Sequence, residues 1–153
     1  MDRKLIFDKN RLDELTNEFN RLSNQIDDVI FEIWTEIPEN IQRTYYDNEV
    51  LINPVQETYE QWQSKLIRRP DPLYSVALIN NKIVSSVYSA GLAYERSINL
   101  WVTNLDHRQR GIGKVVLLSL IIHSFENYQK LPIKAWDVTS QHVDDVLKSL
   151  GFE

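Results

Sequence analysis

The sequence predicts an α/β protein with a mixed, largely antiparallel sheet flanked by helices. Three observations carry that reading. Apolar residues recur at steps of three and four near the start of the chain. Segments rich in β-branched and aromatic residues, separated by turn residues, fill 73–104. A strand–glycine loop–helix–strand unit spans 97–138. The 153 residues suffice for one domain, 1–153, with a helical first part over 1–70 and the sheet-bearing core over 73–153.

Leu12, Leu15, Phe19, Leu22, Ile26, Val29 and Ile33 form the opening stripe. They predict one long helix or two shorter ones, with Asn10 and Asp13 as a capping arrangement. The stripe suits packing on the core; a coiled-coil or dimer seam is the alternative. Pro38 stops the region. Residues 44–54 read as irregular and aromatic, and a short helix is expected over Val55–Ile67, ended by the prolines Pro70 and Pro72. Strands follow at 73–79 and 82–90, joined at Asn80-Asn81, two residues that tolerate positive φ. Gly91 marks a bulge or loop before a third strand at 97–104. A helix over Lys114–Tyr128, a strand at 133–138 and a last helix from Gln141 to Ser149 complete the order.

Composition narrows the function classes. A net charge of −5 disfavours nucleic-acid binding, which depends on neutralising phosphates. The apolar runs are too short for a membrane span, and the start lacks an apolar signal segment, so a cytoplasmic location is expected. With no cysteine there is no disulfide or thiolate chemistry. The scattered histidines His107, His123 and His142 do not make a metal site, and none is expected.

The chain has four glycines, and two of them, Gly111 and Gly113, stand one residue apart in "DHRQRGIGK" (106–114). This loop links a strand to a helix. A helix N-terminus offers free N–H groups and the positive end of a dipole, and glycine lets an anion approach the backbone. Arg108, Arg110 and Lys114 add charge. The pattern suits a pyrophosphate. An ATP-type P-loop is set aside because Val115 follows the lysine and the first glycine is missing; a dinucleotide fingerprint is set aside because Val116 occupies its third glycine position.

"RQRGIG" (108–113), the apolar helix after it and the closing "VLKSLGF" resemble the GCN5-related N-acetyltransferase superfamily over about residues 73–153. The resemblance implies that acetyl-CoA is the co-substrate and 73–153 the part that binds it. It places Arg108, Gln109, Arg110, Gly111, Ile112, Gly113 and Lys114 around the pyrophosphate, with Trp101, Val102 and Thr103 lending backbone groups to the pantetheine arm like a paired strand. The strand at 133–138 would splay from that at 97–104 to open the cleft. An amide of the third strand would polarise the thioester carbonyl during direct attack by an amine. The implied function is N-acetylation of a primary amine on a small molecule or protein.

Two departures qualify this. Leu147 stands where many relatives carry the tyrosine that protonates the leaving thiolate, and Ser140 where many carry an asparagine near the start of the last helix. Ser140 is kept as a cofactor-binding candidate. Glu95 and Asp137 are the candidate catalytic bases, and Tyr45, Tyr46, Tyr88 and Trp136 could line an acceptor pocket built largely from residues 35–75. The family fold adds two strands after Leu-Gly-Phe, whereas this sequence stops at Glu153. An unpaired edge is therefore expected, to be completed by a homodimer or by a second such domain in tandem. The rival reading is a non-catalytic acyl-CoA-binding or interaction domain.

Overall fold

Asp8 starts the first helix. Its side chain accepts from the N–H groups of Asn10 and Arg11, which replaces the expected Asn10/Asp13 cap; Asp13 instead pairs with Lys9 at 2.7 Å. The computed structural model, which describes residues 1–52, 57–128 and 130–153, orders the elements as β1 (Arg3–Leu5), α1 (Lys9–Ser23), β2 (Ile30–Trp34), α2 (Gln42–Glu49), α3 (Tyr59–Lys65), β3 (Leu73–Ile79), β4 (Lys82–Ser89), β5 (Arg96–Thr103), α4 (Ile112–Asn127), β6 (Ile133–Ala135) and α5 (Gln141–Ser149).

The first seventy residues are less helical than the stripe predicted. α1 ends at Ser23, and Ile30–Trp34 form an edge strand paired antiparallel with β3. Ile30, Phe31, Ile33 and Trp34 are β-branched or aromatic, and that local preference overrides the helical spacing once the sheet supplies a partner. Within the stretch expected to be irregular, 44–54, residues 44–49 belong to α2, whose Tyr45 is fully buried, and 53–54 lie outside the described residues. α3 begins at Tyr59 with a Thr58/Gln61 capping box; the expected earlier start at Val55 lies outside the described residues.

The sheet order is β1-β6-β5-β4-β3-β2. Pairing is antiparallel except between β5 and β6, which are joined through α4 and run parallel. Asn80 and Asn81 take φ values of 50° and 62°, the left-handed pair that a tight hairpin turn demands. α4 packs against the sheet on one side and α1 on the other, so apolar residues occupy most of its circumference and nine of its residues are buried. Leu12 and Leu15 of the α1 stripe join Leu118, Ile121 and Leu147 in that core. α2 and α3 cover the opposite face around Tyr45, Trp62 and Tyr74.

The edge of the last strand is not bare. β1 pairs with β6 through Arg3↔Ala135, Lys4↔Lys134 and Leu5↔Ile133. On its other side Lys4 exchanges two 2.9 Å backbone hydrogen bonds with Glu153. Residues from the start of the chain thus occupy the edge expected to lack strands, because Leu5 can enter the core while its backbone satisfies the ladder. Arg3 fixes β1 to α5 by a two-pronged bond to Asp144, at 2.6 and 3.0 Å.

Candidate functional site

β5 changes partners along its length. Its first residues, Arg96–Ile98, pair with β6, and that pairing stops at Ile98↔Ala135. Arg96 anchors this end: it is buried and bonds Asp71 and Ser89. Beyond Ile98 the strand is held only on the β4 side, so one backbone edge faces the space between the two parallel strands. The β4 register shifts between Ser86 and Tyr88, leaving an extra residue on β5, and Leu100 takes a φ of 51°. A bulge of this kind re-aims the residues on either side of it. Leu100 joins the core under α2 and α3, while Trp101 packs toward α4.

The loop 104–111 carries the chain from β5 into α4. Asn104 caps its first turn by accepting from Asp106 N–H at 3.0 Å, and Arg108 Nε donates to Thr103 O at 3.0 Å. Gln109 and Gly111 are left-handed, with φ of 66° and 82°. Gly111 is the N-cap of α4, and no side chain caps the helix there. The first-turn N–H groups therefore remain available to an anion. Gly113 has a different reason for being glycine: a Cβ there would stand 2.6 Å from Thr103 Oγ1. Its carbonyl accepts from Trp101 Nε1 at 3.0 Å. Gly111 supplies the turn, and Gly113 lets the helix lie against β5.

These pieces line one cleft of about 730 Å³. Of the positions proposed for the acyl donor, Trp101, Val102, Thr103, Arg108, Gln109, Gly111, Ile112, Gly113, Lys114 and Ser140 all border it. Arg110 is turned away: its guanidinium bonds Asp28 and lies 3.4 Å from His107 Nδ1. Lys114 reaches Glu18 on α1 at 3.4 Å. Two of the loop's three cations thus have carboxylate partners, which lowers the positive charge inferred from sequence. Asp28 is held below the usual carboxylate range by the bond from Arg110; Glu18 is lowered mainly by Arg21, with Lys114 adding to it.

Ser140 caps α5 by accepting from Val143 N–H at 3.3 Å and borders the cleft. His107, His142, Val143 and Val146 also line it. Sequence reading gave His142, Val143 and Val146 no part in the site, because only the turn into the helix brings them opposite β5. Leu147 is buried in the core, so its position contributes no polar group to the cleft. The two candidate bases do not line the cleft. Glu95 approaches Lys4 at 3.7 Å near the β1 end of the sheet. Asp137 is exposed, with a left-handed φ of 51° and its N–H bonded to Asp2.

A second cavity, of about 440 Å³, lies beneath α2 and α3 and is closed on the sheet side by Tyr88 and Leu100. Its lining draws heavily on residues 49–70, the region from which an acceptor pocket was expected. Tyr88 borders it; Tyr45 is sealed in the core, and Trp136 lies under Lys134 Nζ, 3.5 Å from its ring centroid. Among the described residues no helix is long and apolar enough to cross a membrane, and no group of three or more acidic or histidine side chains could hold a metal ion.

No protein-family profile matches the chain, and no curated protein does. Solved structures do. The chain is similar to the ribosomal-protein-S18-alanine N-acetyltransferase of Escherichia coli, at 16% identity and a TM-score of 0.64, covering 81% of this chain and 78% of that one. A tandem GNAT protein from the clavulanic acid biosynthesis pathway matches 99% of this chain at 13% identity and a TM-score of 0.67, over 49% of its own length. A GCN5-related N-acetyltransferase-like protein from Streptococcus suis matches all of it at 19% identity and 0.62, over 57% of its own length. The chain thus spans about half the length of two of these proteins and most of the third.

Proposed function

We propose that this chain, which has the GCN5-related N-acetyltransferase fold, transfers an acetyl group from acetyl-CoA to a primary amine. The observation that carries the reading is the convergence, in one cleft, of an uncapped helix N-terminus, a left-handed glycine turn and a strand edge without a partner.

The residues present fit an acyl-CoA. The N–H groups at the start of α4 and the guanidinium of Arg108 would hold the pyrophosphate, and the free edge of β5 at Trp101–Thr103 would bind the amide-bearing arm. When bound, acetyl-CoA supplies the activated acyl group. The chain's part is to orient and to move protons. The bulge at Leu100 lies where β5 parts from β6, and a backbone N–H freed there would suit polarising a carbonyl. His142 on α5 borders the cleft and is the candidate donor of a proton to the leaving sulfur, a role that buried Leu147 cannot take. Neither Glu95 nor Asp137 is assigned the role of base toward the amine, since neither borders the cleft.

The test has two stages. Isothermal titration with acetyl-CoA and with CoA measures binding at the loop, and the absence of heat at high micromolar ligand would refute any acyl-CoA reading. Thiol release across a panel of amines then separates an enzyme from a binding domain. The second reading, a non-catalytic acyl-CoA-binding or interaction domain, is favoured by the apolar Leu147; binding without thiol release would establish it. A second such domain or a homodimer is proposed as a partner, and sedimentation of the whole protein tests that.

A further inference from the structure

We infer that the cavity beneath α2 and α3 is the acceptor subsite and that it takes a free α-amino acid, gripped as its zwitterion by the Glu49–Arg69 pair. The acceptor role rests on the acyl-transfer reading; the recognition of a zwitterion does not.

Glu49 is 4% exposed and Arg69 half-buried beside it. Arg69 Nη2 donates to Glu49 Oε1 at 2.8 Å, and Trp62 Nε1 donates to the same oxygen at 3.1 Å. Both donors are thus spent on one carboxylate oxygen. Glu49 Oε2 and Arg69 Nη1 are left buried with no hydrogen-bond partner among the described residues. Buried polar atoms are ordinarily satisfied, and an orphan acceptor beside an orphan donor calls for an occupant that supplies both complements.

An α-amino acid carries them on one carbon. Its ammonium group faces Glu49 Oε2 and its carboxylate faces Arg69 Nη1, so its charges run opposite to those of the ion pair beneath. The guanidinium is a fit platform, lying 4.3 Å from the Tyr88 ring centroid, with Tyr88 stacked on Tyr74. Both orphan atoms are shielded from solvent, so occupancy includes a turn of the two side chains toward the cavity.

The remaining charges select against an amine without a carboxylate. Lys65 is held by Glu57 at 3.2 Å, and Arg68 stands at the rim with no carboxylate partner among the described residues. The lining side chains therefore carry a surplus positive charge. Leu100 then ties the subsite to the chemistry, since it borders this cavity while the next residue, Trp101, borders the acyl-donor cleft. The ammonium group first loses one proton to solvent. The nitrogen then forms its bond to the acyl carbon as the carbon–sulfur bond breaks, and the second proton ends on the thiol.

Saturation-transfer NMR on the intact protein, with a panel of free amino acids, tests this. The best binder is compared with its methyl ester, its decarboxylated amine and a peptide that begins with it. Each lacks a free carboxylate on the carbon that bears the amine and is expected to bind at least about tenfold more weakly. Glu49→Gln, with its fold checked by circular dichroism and its acetyl-CoA binding by titration, is expected to lose a similar factor, and Arg68→Ala less. Equal binding of the ester, amine or peptide overturns the proposal, and that arm needs no variant to fold. If no amino acid binds at about 10 mM to protein that does bind acetyl-CoA, the subsite assignment fails and the acyl-transfer reading stands. If an amino acid binds and acetyl-CoA does not, the recognition stands and the acceptor role fails.

Discussion

Gly113 and Thr103 meet where the α4 N-terminus lies on β5: a Cβ on the glycine would stand 2.6 Å from the threonine Oγ1, which itself bonds Ser85 Oγ at 2.9 Å. The glycine is thus needed by the protein's own packing as well as by any phosphate. Gly113→Ala is expected to lower stability by about 1–3 kcal/mol through overpacking. Thr103→Ala added to it should return most of that loss. A double-mutant cycle by chemical unfolding reads the coupling, and additive effects would show that the contact is not the cause.

Gly111 acts differently, because a Cβ there would make only an ordinary contact with Leu22 Cδ2, at 3.9 Å, but the backbone is left-handed at φ 82°. Gly111→Ala should cost about 1–2 kcal/mol of strain, and Gly111→Asn less, since asparagine tolerates that conformation. Thermal unfolding of the pair checks the order. If alanine and asparagine are equal, conformational strain is not what the glycine relieves.

The carboxylates of Glu18 and Asp28 compete with any anion for Lys114 and Arg110. Glu18→Gln and Asp28→Asn are each expected to tighten acetyl-CoA binding about two- to fivefold at low salt, the scale of an exposed ion pair. The gain should fade at high salt. Titration at two ionic strengths measures it, and weaker binding in either variant would contradict competition.

His142 borders the cleft between β5 and α5. If it protonates the leaving sulfur, His142→Gln should reduce kcat by about 10²-fold or more while the dissociation constant of CoA moves little. Steady-state kinetics with a CoA titration alongside separates the two. A variant that keeps kcat removes His142 from the chemistry.

Asp144 carries a pH prediction. Its carboxyl is lowered first by the hydrogen bonds from Arg3, with Lys148 adding to the effect. A depressed folded pKa means that the stabilisation is present above the unfolded carboxylate range and is lost as pH falls through the depressed value. Acid should therefore loosen β1 from α5. Asp144→Asn is expected to flatten the acid limb of stability while lowering stability at neutral pH. Melting curves from pH 7 down to about pH 3 would show it; an unchanged acid limb would place the acid sensitivity elsewhere.

Much of the sheet was legible in advance. Strands at 73–79 and 82–90, the second observed to end at Ser89, their Asn80-Asn81 turn, the long apolar helix and the glycine loop all follow from local preference, because each segment's own residues dictate its conformation. β2 was not legible: Ile26, Val29 and Ile33 continue the helical spacing of α1, and only pairing with β3 makes Ile30–Trp34 a strand. The cleft was legible along the loop, at Trp101–Thr103 and at Ser140, but not along α5. His142, Val143 and Val146 entered it because α5 packs opposite β5, a placement no local pattern encodes.

The sequence by itself determined the turn into α4, since a left-handed glycine before an uncapped helix is a property of adjacent residues. Only the tertiary structure decided what surrounds that turn. It set carboxylates from α1 and the segment after it against two of the loop's cations, placed Glu49 and Arg69 twenty positions apart into one buried pair, and closed the sheet edge at β6 with Arg3–Leu5. Those contacts join residues distant along the chain, and burial and backbone pairing select them where local preference is silent.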